Sequence, residues 1–484
     1  MNISVIGTGY VGLVSGVCLA SRGNKVTCVD VDSSKVDAIN NGQPPIHEEG
    51  LEELLKDVIN NEVFTATTDL QAAVQDSDLT LLAVGTPFDG EHIDLSYIET
   101  ASRQIGEALQ SKSGFHTVIV KSTVVPGTTE NVVGKIVSQH SGREVGPQLG
   151  LGMNPEFLRE GEAVADFMNP DRIVIGAVNQ ATADAMHKVY SQFPDVDKLD
   201  TSPRTAEMIK YTANSLLATL ISFSNEIGNL CASVRDVDIE EVMQGVWLDK
   251  RISPLLDENS VNQAKTDNSS QPRCIPGMTS YLRAGCGFGG SCFPKDVSAL
   301  IAYGKQHGSN MQVLDAVMSV NADQPNKLVE LAIIALDKID IRPEATKTKR
   351  KIAVLGLAFK AGTDDVRESA AIPVIKGLQE LGCSISAYDP IAISNARLAL
   401  NPELEKNGDK PDITMASDIR QCIENADAIV ITTAWPEFRE LPGMVAKMTN
   451  QPYIIDGRRM FQPDDFEHYA GIGLMQSSKL PPTA

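Results

Sequence analysis

Short apolar runs alternate with amphipathic stretches along the first two hundred residues. Five runs have the length of buried strands: residues 3–6, 25–30, 79–84, 117–120 and 173–175. Helical patterns lie between them, as at residues 51–60 and 98–110. Alternation of strands and helices indicates a mostly parallel sheet with right-handed crossovers.

The pattern changes from Pro203 onward. Residues 205–233 form a long helical pattern with a broad apolar face, typical of a helix that contacts another domain or subunit. A second helical stretch, 296–305, follows a glycine-rich loop. Residues 257–278 have the composition of a loop, and residues 342–350 that of a polar, basic linker.

The α/β pattern restarts at Lys351. Residues 351–356 match residues 2–7, and residues 384–389 form a second strand that ends in an acid; residues 428–433 and 453–456 are further strands. We therefore predict an α/β fold with two Rossmann-like domains joined by a long central helix. The predicted domains are residues 1–203, 204–341 and 342–484.

Composition narrows the possible partners and compartments. The 484 residues include 42 Lys and Arg and 63 Asp and Glu, for a formal net charge of −21, so we expect neither nucleic acid nor a membrane surface as a partner. No apolar stretch approaches the ~20 residues that span a bilayer. The N-terminus lacks a basic signal-peptide region, eight cysteines are too few for a disulfide scaffold, and no CxxC pair indicates zinc. We expect a cytoplasmic protein without a metal.

Residues 7–12, GTGYVG, form a GxGxxG pattern between a strand and an apolar helix. Glycines there let backbone N–H groups approach a pyrophosphate at the helix N-terminus. The next strand ends at Asp30, whose carboxylate would accept hydrogen bonds from ribose hydroxyls and repel a 2′-phosphate. The pattern therefore predicts NAD rather than NADP as the cofactor.

A glycine-rich loop at residues 285–296 contains the best candidate nucleophile. Cys292 lies just before Pro294, a residue typical of a helix start, and close to Lys295. A helix N-terminus and a nearby cation both favour the thiolate over the thiol. An NAD fold with such a cysteine predicts oxidation of an alcohol to an aldehyde, then a thiohemiacetal, a thioester and an acid.

Six motifs now carry a resemblance: residues 7–12, 84–87 (VGTP), 121–128 (KSTVVPGT), 154–161 (NPEFLREG), 210–214 (KYTAN) and 287–296. With these motifs in this order, the chain resembles the UDP-glucose/GDP-mannose dehydrogenase family over both Rossmann-like domains. The resemblance implies an NAD-dependent, four-electron oxidation of UDP-glucose to UDP-glucuronate. Alternatives are oxidation of GDP-mannose to GDP-mannuronate, or a dinucleotide sensor without activity. The cysteine loop counts against a UDP-N-acetylhexosamine dehydrogenase.

The resemblance also implies roles for particular residues. The implied catalytic residues are Cys292 as nucleophile, Glu156 as acid/base of thioester hydrolysis, Lys210 and Asn214 for the oxyanion or the water, and Asp296 with Thr123 as helpers. The implied NAD contacts are Gly7, Gly9, Tyr10, Val11, Gly12, Asp30, Lys35, Thr86, Thr123, Glu160, Lys295 and Arg367. The implied substrate contacts are Glu156, Phe157, Leu158, Arg159, Glu160, Lys210, Asn214, Arg251, Tyr281, Arg283, Gly289, Phe359, Lys360 and Arg458.

One stretch departs from the family pattern. Residues 253–280 separate Arg251 from Tyr281, where family members have a short link, and we interpret them as an insertion. The insertion leaves the position of Arg251 open, because the family's arginine reaches a neighbouring subunit's site. We expect a homodimer or a higher homo-oligomer.

Overall fold

The computed structural model describes residues 1–256, 273–339, 349–400 and 413–474. Much of the predicted loop 257–278, of the insertion 253–280 and of the linker 342–350 lies outside the described residues.

The first sheet has eight strands in the order β3-β2-β1-β4-β5-β6-β7-β8. Neighbours pair in parallel except β6 and β7, which are antiparallel. The first six strands have the order typical of a dinucleotide-binding sheet. The strands are β1 (Asn2–Ile6), β2 (Lys25–Val29), β3 (Phe64–Thr67), β4 (Leu79–Leu82), β5 (His116–Val120), β6 (Leu149–Met153), β7 (Ile173–Ala177) and β8 (Lys198–Thr201).

The second sheet has six parallel strands in the order β11-β10-β9-β12-β13-β14. Apart from Lys351 at one strand start, its central strands are apolar and buried, as expected where helices cover both faces of a parallel sheet. The strands are β9 (Lys351–Leu355), β10 (Ser384–Tyr388), β11 (Ile413–Met415), β12 (Ala428–Ile431), β13 (Tyr453–Asp456) and β14 (Tyr469–Gly471).

Helices occupy the connections between the strands of each sheet and part of the chain that links β8 to β9. The α-helices are Tyr10–Ser21, Ser33–Asn40, Leu51–Asn60, Leu70–Gln75, Ser96–Leu109, Lys135–Ser141, Ala163–Met168, Gln180–Val189, Pro203–Cys231, Ile239–Trp247, Phe293–Gln306, Gln312–Ile339, Ala371–Glu380, Ile393–Leu400, Ile419–Ile423 and Leu441–Val445. A π-helical segment covers Thr129–Gly134, and 3-10 turns cover Gly277–Tyr281, Pro436–Glu440 and Pro463–Asp465.

The described chain divides into two compact units. One comprises Met1–Asn214 and Lys295–Asn310, and the other comprises Ser215–Pro294 and Met311–Ala484. The helix Pro203–Cys231 begins in the first unit and ends in the second. The predicted fold class, two Rossmann-like domains joined by a long helix, is confirmed. The three predicted domain boundaries stay a prediction.

Sequence patterns missed a second long helix, Gln312–Ile339. It contains Pro325 within the polar run 321–326, which resembles a helix break.

Within the described ranges, no helix has both the length and the apolar character needed to cross a membrane.

Candidate active site

The glycine loop joins β1 to the helix Tyr10–Ser21. A Cβ on Gly12 would lie 2.0 Å from the carbonyl oxygen of Gly7, so only glycine allows this close approach. Gly9 precedes the helix, and no side chain caps the first turn. The backbone N–H groups of this first turn are therefore able to bind a pyrophosphate, so the residues present fit NAD.

Asp30 directly follows β2 and faces this loop. Its Oδ2 accepts hydrogen bonds from the backbone N–H of Thr8 at 3.1 Å and from the Thr8 hydroxyl at 2.5 Å. Partial burial would raise the pKa of Asp30, but these hydrogen bonds, with that from the Asp32 N–H and the charge of Lys35, lower it. The carboxylate is therefore charged at neutral pH, as the predicted discrimination against a 2′-phosphate requires.

The ends of β4 and β5 are tied together at the same edge of the first sheet. The Thr86 hydroxyl donates to the carbonyl oxygen of Thr123 at 2.8 Å, and the Ser122 hydroxyl donates to that of Val84 at 2.6 Å. Parallel strands present their carboxyl ends at one edge, which is where ligands bind in such sheets.

Glu156 follows β6 and forms a buried ion pair with Lys210 of the long helix. The distance from Lys210 Nζ to Glu156 Oε1 is 2.7 Å, and the side chains are 4% exposed for Lys210 and 6% exposed for Glu156. The other carboxylate oxygen of Glu156 accepts the N–H of Leu158 at 2.7 Å. Burial would raise the pKa of Glu156, but Lys210, this hydrogen bond and the charge of Lys121 hold it below its usual value.

A second polar cluster lies one turn further along the long helix. The amide of Asn214 donates to Asp296 Oδ2 at 2.6 Å, and Lys295 Nζ donates to Asp296 Oδ1 at 2.6 Å. Asp296 is 1% exposed, so both contacts satisfy a buried carboxylate. The first unit thus brings together Glu156 with Lys210, and Asn214 with Lys295 and Asp296.

Two buried glutamates that hold this region were missed by the sequence analysis. Glu207 accepts the N–H groups of Gly127 and Thr129, at 2.5 and 2.7 Å, and so fixes the turn after Thr123. Glu48 accepts the N–H groups of Gly161 and Ala163, at 2.7 and 2.6 Å. Glu207 lies one helical turn before Lys210, and this spacing within the predicted helix could have identified it as a candidate residue. We find no sequence signal for Glu48.

Cys292 belongs to the second unit and directly precedes the helix Phe293–Gln306. Its Sγ lies 3.6 Å from the Ser291 hydroxyl. Amide side chains hold the loop before it: Asn225 accepts the N–H of Gly285 at 2.7 Å, and Gln324 donates to the Gly285 carbonyl at 2.7 Å. Asn321 accepts the N–H of Phe288 at 2.7 Å and donates to its carbonyl at 3.0 Å.

Four of the predicted contact residues meet beside this loop. A Cβ on Gly289 would lie 2.1 Å from the Glu368 carbonyl oxygen and 3.2 Å from the Phe359 Cβ. Gly290 donates its N–H to the Arg367 carbonyl at 2.9 Å. The guanidinium of Arg458 donates to the carbonyl oxygens of Thr432, Gly287 and Phe359, at 2.7, 3.2 and 3.3 Å.

The other predicted contact residues lie in separate local settings. Arg251 pairs with Asp249, two residues earlier, and is 85% exposed. Arg283 lies over the ring of Trp247, and the ring of Tyr281 contacts that of Phe293. Arg159 pairs with Glu162 and Asp166 at the surface. Phe157 is covered by the guanidinium of Arg172, while Leu158, Glu160 and Lys360 are partly buried.

Each unit therefore supplies a distinct chemistry. The first holds a loop that fits a dinucleotide and buried carboxylates paired with ammonium and amide groups. The second holds a thiol at a helix start and guanidinium groups suited to a diphosphate.

Family models match nearly the whole chain. The NAD-binding domain of the UDP-glucose/GDP-mannose dehydrogenase family matches residues 1–194, the central domain matches residues 204–323, and the UDP-binding domain matches residues 353–463.

Curated relatives and solved structures agree with these models. UDP-glucose 6-dehydrogenase TuaD of Bacillus subtilis is 38% identical over 469 residues, covering 96% of this chain and 91% of that protein. GDP-mannose 6-dehydrogenase of Pseudomonas putida is 38% identical over 444 residues, covering 91% and 93%. A UDP-glucose dehydrogenase structure from Pyrobaculum islandicum superposes with a TM-score of 0.82 at 36% identity, covering 98% and 97%.

These matches confirm the predicted resemblance, the NAD cofactor and the enzyme class. The chain is an NAD-dependent nucleotide-sugar dehydrogenase, and it belongs to the UDP-glucose/GDP-mannose dehydrogenase family.

Proposed function

We propose that the protein oxidises UDP-glucose at C6 to UDP-glucuronate, consuming two NAD⁺ and one water and releasing two NADH and three protons. One observation carries the catalytic part: Lys210, which pairs with the buried Glu156, and Asn214, which contacts the buried Asp296, lie four residues apart on one helix. Cys292 lies four residues before Asp296, so the chain limits their Cα separation to at most ~14 Å.

Cys292 is the proposed nucleophile. Bound NAD⁺ supplies the hydride acceptor for both oxidations. The Cys292 thiolate adds to the carbonyl carbon of the aldehyde to give the alkoxide of a thiohemiacetal, and loss of a hydride from this anion leaves the neutral thioester. Lys210, as an ammonium, stabilises the oxyanion that forms at that carbon.

Glu156 is the proposed base for releasing the product. Its carboxylate accepts a proton from water as the water oxygen attacks the thioester, and the C–S bond then breaks to return the Cys292 thiolate. Asn214 and Asp296, with Thr123, would orient this water. Gly7, Gly9, Tyr10, Val11, Gly12, Asp30, Lys35, Thr86, Glu160, Lys295 and Arg367 are the proposed NAD contacts.

The proposed substrate contacts combine cations with the cysteine loop. Arg458 and Lys360 suit the diphosphate, and Phe359 and Gly289 lie against each other beside them. The remaining proposed contacts are Phe157, Leu158, Arg159, Arg251, Tyr281 and Arg283. UDP-glucose is favoured as the sugar nucleotide because the named UDP-glucose dehydrogenases cover nearly all of this chain.

GDP-mannose is the second candidate, since a GDP-mannose 6-dehydrogenase has a comparable 38% identity over 91% of this chain. A sensor without activity is disfavoured, because it has no need for an ion pair and a buried Asp–Asn contact that are costly to desolvate.

Product counting tests the proposal. We expect two NADH per UDP-glucose, no free aldehyde, and a higher kcat/KM for UDP-glucose than for GDP-mannose. Cys292→Ser should abolish turnover. Cys422→Ser is the matched control, because its buried thiol donates to the Ser386 carbonyl on β10 of the second sheet. One NADH per sugar with released aldehyde would overturn the four-electron reaction, and a preference for GDP-mannose would overturn the substrate.

A further inference from the structure

Lys121 is a buried cation to which the proposed mechanism gives no role. It directly follows β5, is 4% exposed, and its Nζ donates to Asn154 Oδ1 at 2.8 Å. A buried ammonium is costly to desolvate, so its retention beside an active site calls for a physical reason.

The acceptor of this hydrogen bond is itself part of a buried network. Asn154 Oδ1 also accepts the Tyr190 hydroxyl at 2.5 Å, and Asn154 Nδ2 donates to the Val174 carbonyl at 2.8 Å. Asn154 directly follows β6, two residues before Glu156. The network therefore sets the course of the chain that presents the Glu156 carboxylate.

Charge gives Lys121 a second effect. Two positive charges act on Glu156 from elements packed against it: Lys210, from the long helix, and Lys121, from the end of β5. Burial and the charge of Lys210 lower the pKa of Lys121, while Glu156 opposes them, and the resulting value is about 8. The ammonium is thus the main form at pH 7, and the cluster holds two positive charges against one negative charge.

We propose that Lys121 is a positioning residue for thioester hydrolysis, whose buried ammonium holds Asn154 and supplies a second positive charge that keeps Glu156 ionised. This inference rests on the proposed function, because it assigns Lys121 to the step in which Glu156 is the base.

The pH dependence of one step tests the charge. A mixing experiment with UDP-glucose and NAD⁺ forms the acyl adduct on Cys292, and intact-protein mass spectrometry follows its decay between about pH 3 and 8, a range that extends below the usual pKa of a glutamate. In Lys121→Met, we expect the acid limb of the decay rate to move to higher pH by about one unit, because a neighbouring charge of opposite sign stabilises the carboxylate. Formation of the adduct should change less than its decay.

Two variants separate charge from structure. Tyr190→Phe removes the other hydrogen bond to the same Asn154 oxygen without changing a charge, so its acid limb should coincide with that of the wild type. Lys121→Gln retains an N–H donor but loses the charge, so it should behave as Lys121→Met. An unshifted limb in both neutral variants, or an equal shift in Tyr190→Phe, would overturn the inference.

Failure to fold also decides the question. If neither neutral variant folds, the role of Lys121 is structural and the inference falls. If no acyl adduct forms in the wild type, the proposed function fails first and this inference fails with it. If the adduct forms and decays but the acid limb does not shift in the neutral variants, only the proposed role of Lys121 is contradicted.

Discussion

Glu156 and Cys292 act in different steps of the proposed reaction, so their variants should fail differently. Glu156→Gln should still form the thioester and then hydrolyse it slowly, because only water activation is lost. Cys292→Ser should fail before any thioester forms. Mass spectrometry after mixing with UDP-glucose and NAD⁺ should show an adduct on Cys292 in the glutamate variant and none in the serine variant. Normal turnover of Glu156→Gln would indicate that Asp296 or Glu160, rather than Glu156, acts as the base.

His116 should make the first unit sensitive to acid. It is fully buried at the start of β5, with Nε2 2.8 Å from the Thr80 hydroxyl. Burial lowers its pKa to about 3, helped by the charges of Lys112 and Arg143. Below pH 6.5 the unfolded chain therefore binds a proton that the folded chain does not, and stability falls with pH.

Substitution should reveal this loss. Between pH 6.5 and 5, the wild type should lose about 1.7 kcal/mol of unfolding free energy that His116→Gln does not lose, because the loss approaches ~1.4 kcal/mol per pH unit only once the unfolded histidine is fully protonated. Urea unfolding at both pH values measures the difference. His92→Gln, at an exposed histidine, is the control and should match the wild type. Equal acid sensitivity of His116→Gln and the wild type would contradict the prediction.

At the scale of elements, the helix Gln312–Ile339 holds the cysteine loop through Asn321. Asn321→Leu removes both hydrogen bonds to Phe288 and should cost about 1–3 kcal/mol, and it should lower kcat because the loop before Cys292 loses its support. Asn326→Leu, at an exposed asparagine of the same helix, should change stability by less than ~0.5 kcal/mol. Urea unfolding and the initial rate of NADH formation provide the two measurements. Identical behaviour of the two variants would show that Asn321 does not support the loop.

At the scale of the whole molecule, the long helix offers an apolar stripe for self-association. Leu216, Phe223 and Leu230 repeat every seven residues, which places them on one face, and they are 54%, 49% and 60% exposed. Exposed apolar rows of this kind mark interfaces. We expect a homodimer or larger oligomer that Phe223→Glu weakens, as measured by sedimentation. Leu381→Glu, at an exposed leucine that follows the helix Ala371–Glu380, is the control. A monomeric wild type would contradict the prediction.

The elements that sequence patterns predicted share a local signal. The helix Leu51–Asn60 begins and ends at the predicted residues, and β1, β2 and β5 match within one residue, because apolar periodicity is a property of neighbouring positions. The missed β6 contains Gly150 and Gly152. A Cβ at Gly152 would lie 2.6 Å from the Gly176 carbonyl oxygen on β7, so packing between strands, rather than strand propensity, determines its sequence.

The sequence by itself determined the fold class, the NAD loop and the family, because these depend on residue types at fixed spacings. Only the tertiary structure decided which charges meet. Lys121 and Asn154 are 33 residues apart, Lys210 and Glu156 are 54 apart, and Glu207 reaches Gly127 across 80. Such contacts form when strands that are distant in the chain end at one edge of a sheet and the start of the long helix packs beside that edge. The burial that strengthens them follows from the packing of the whole unit, which local spacing does not encode.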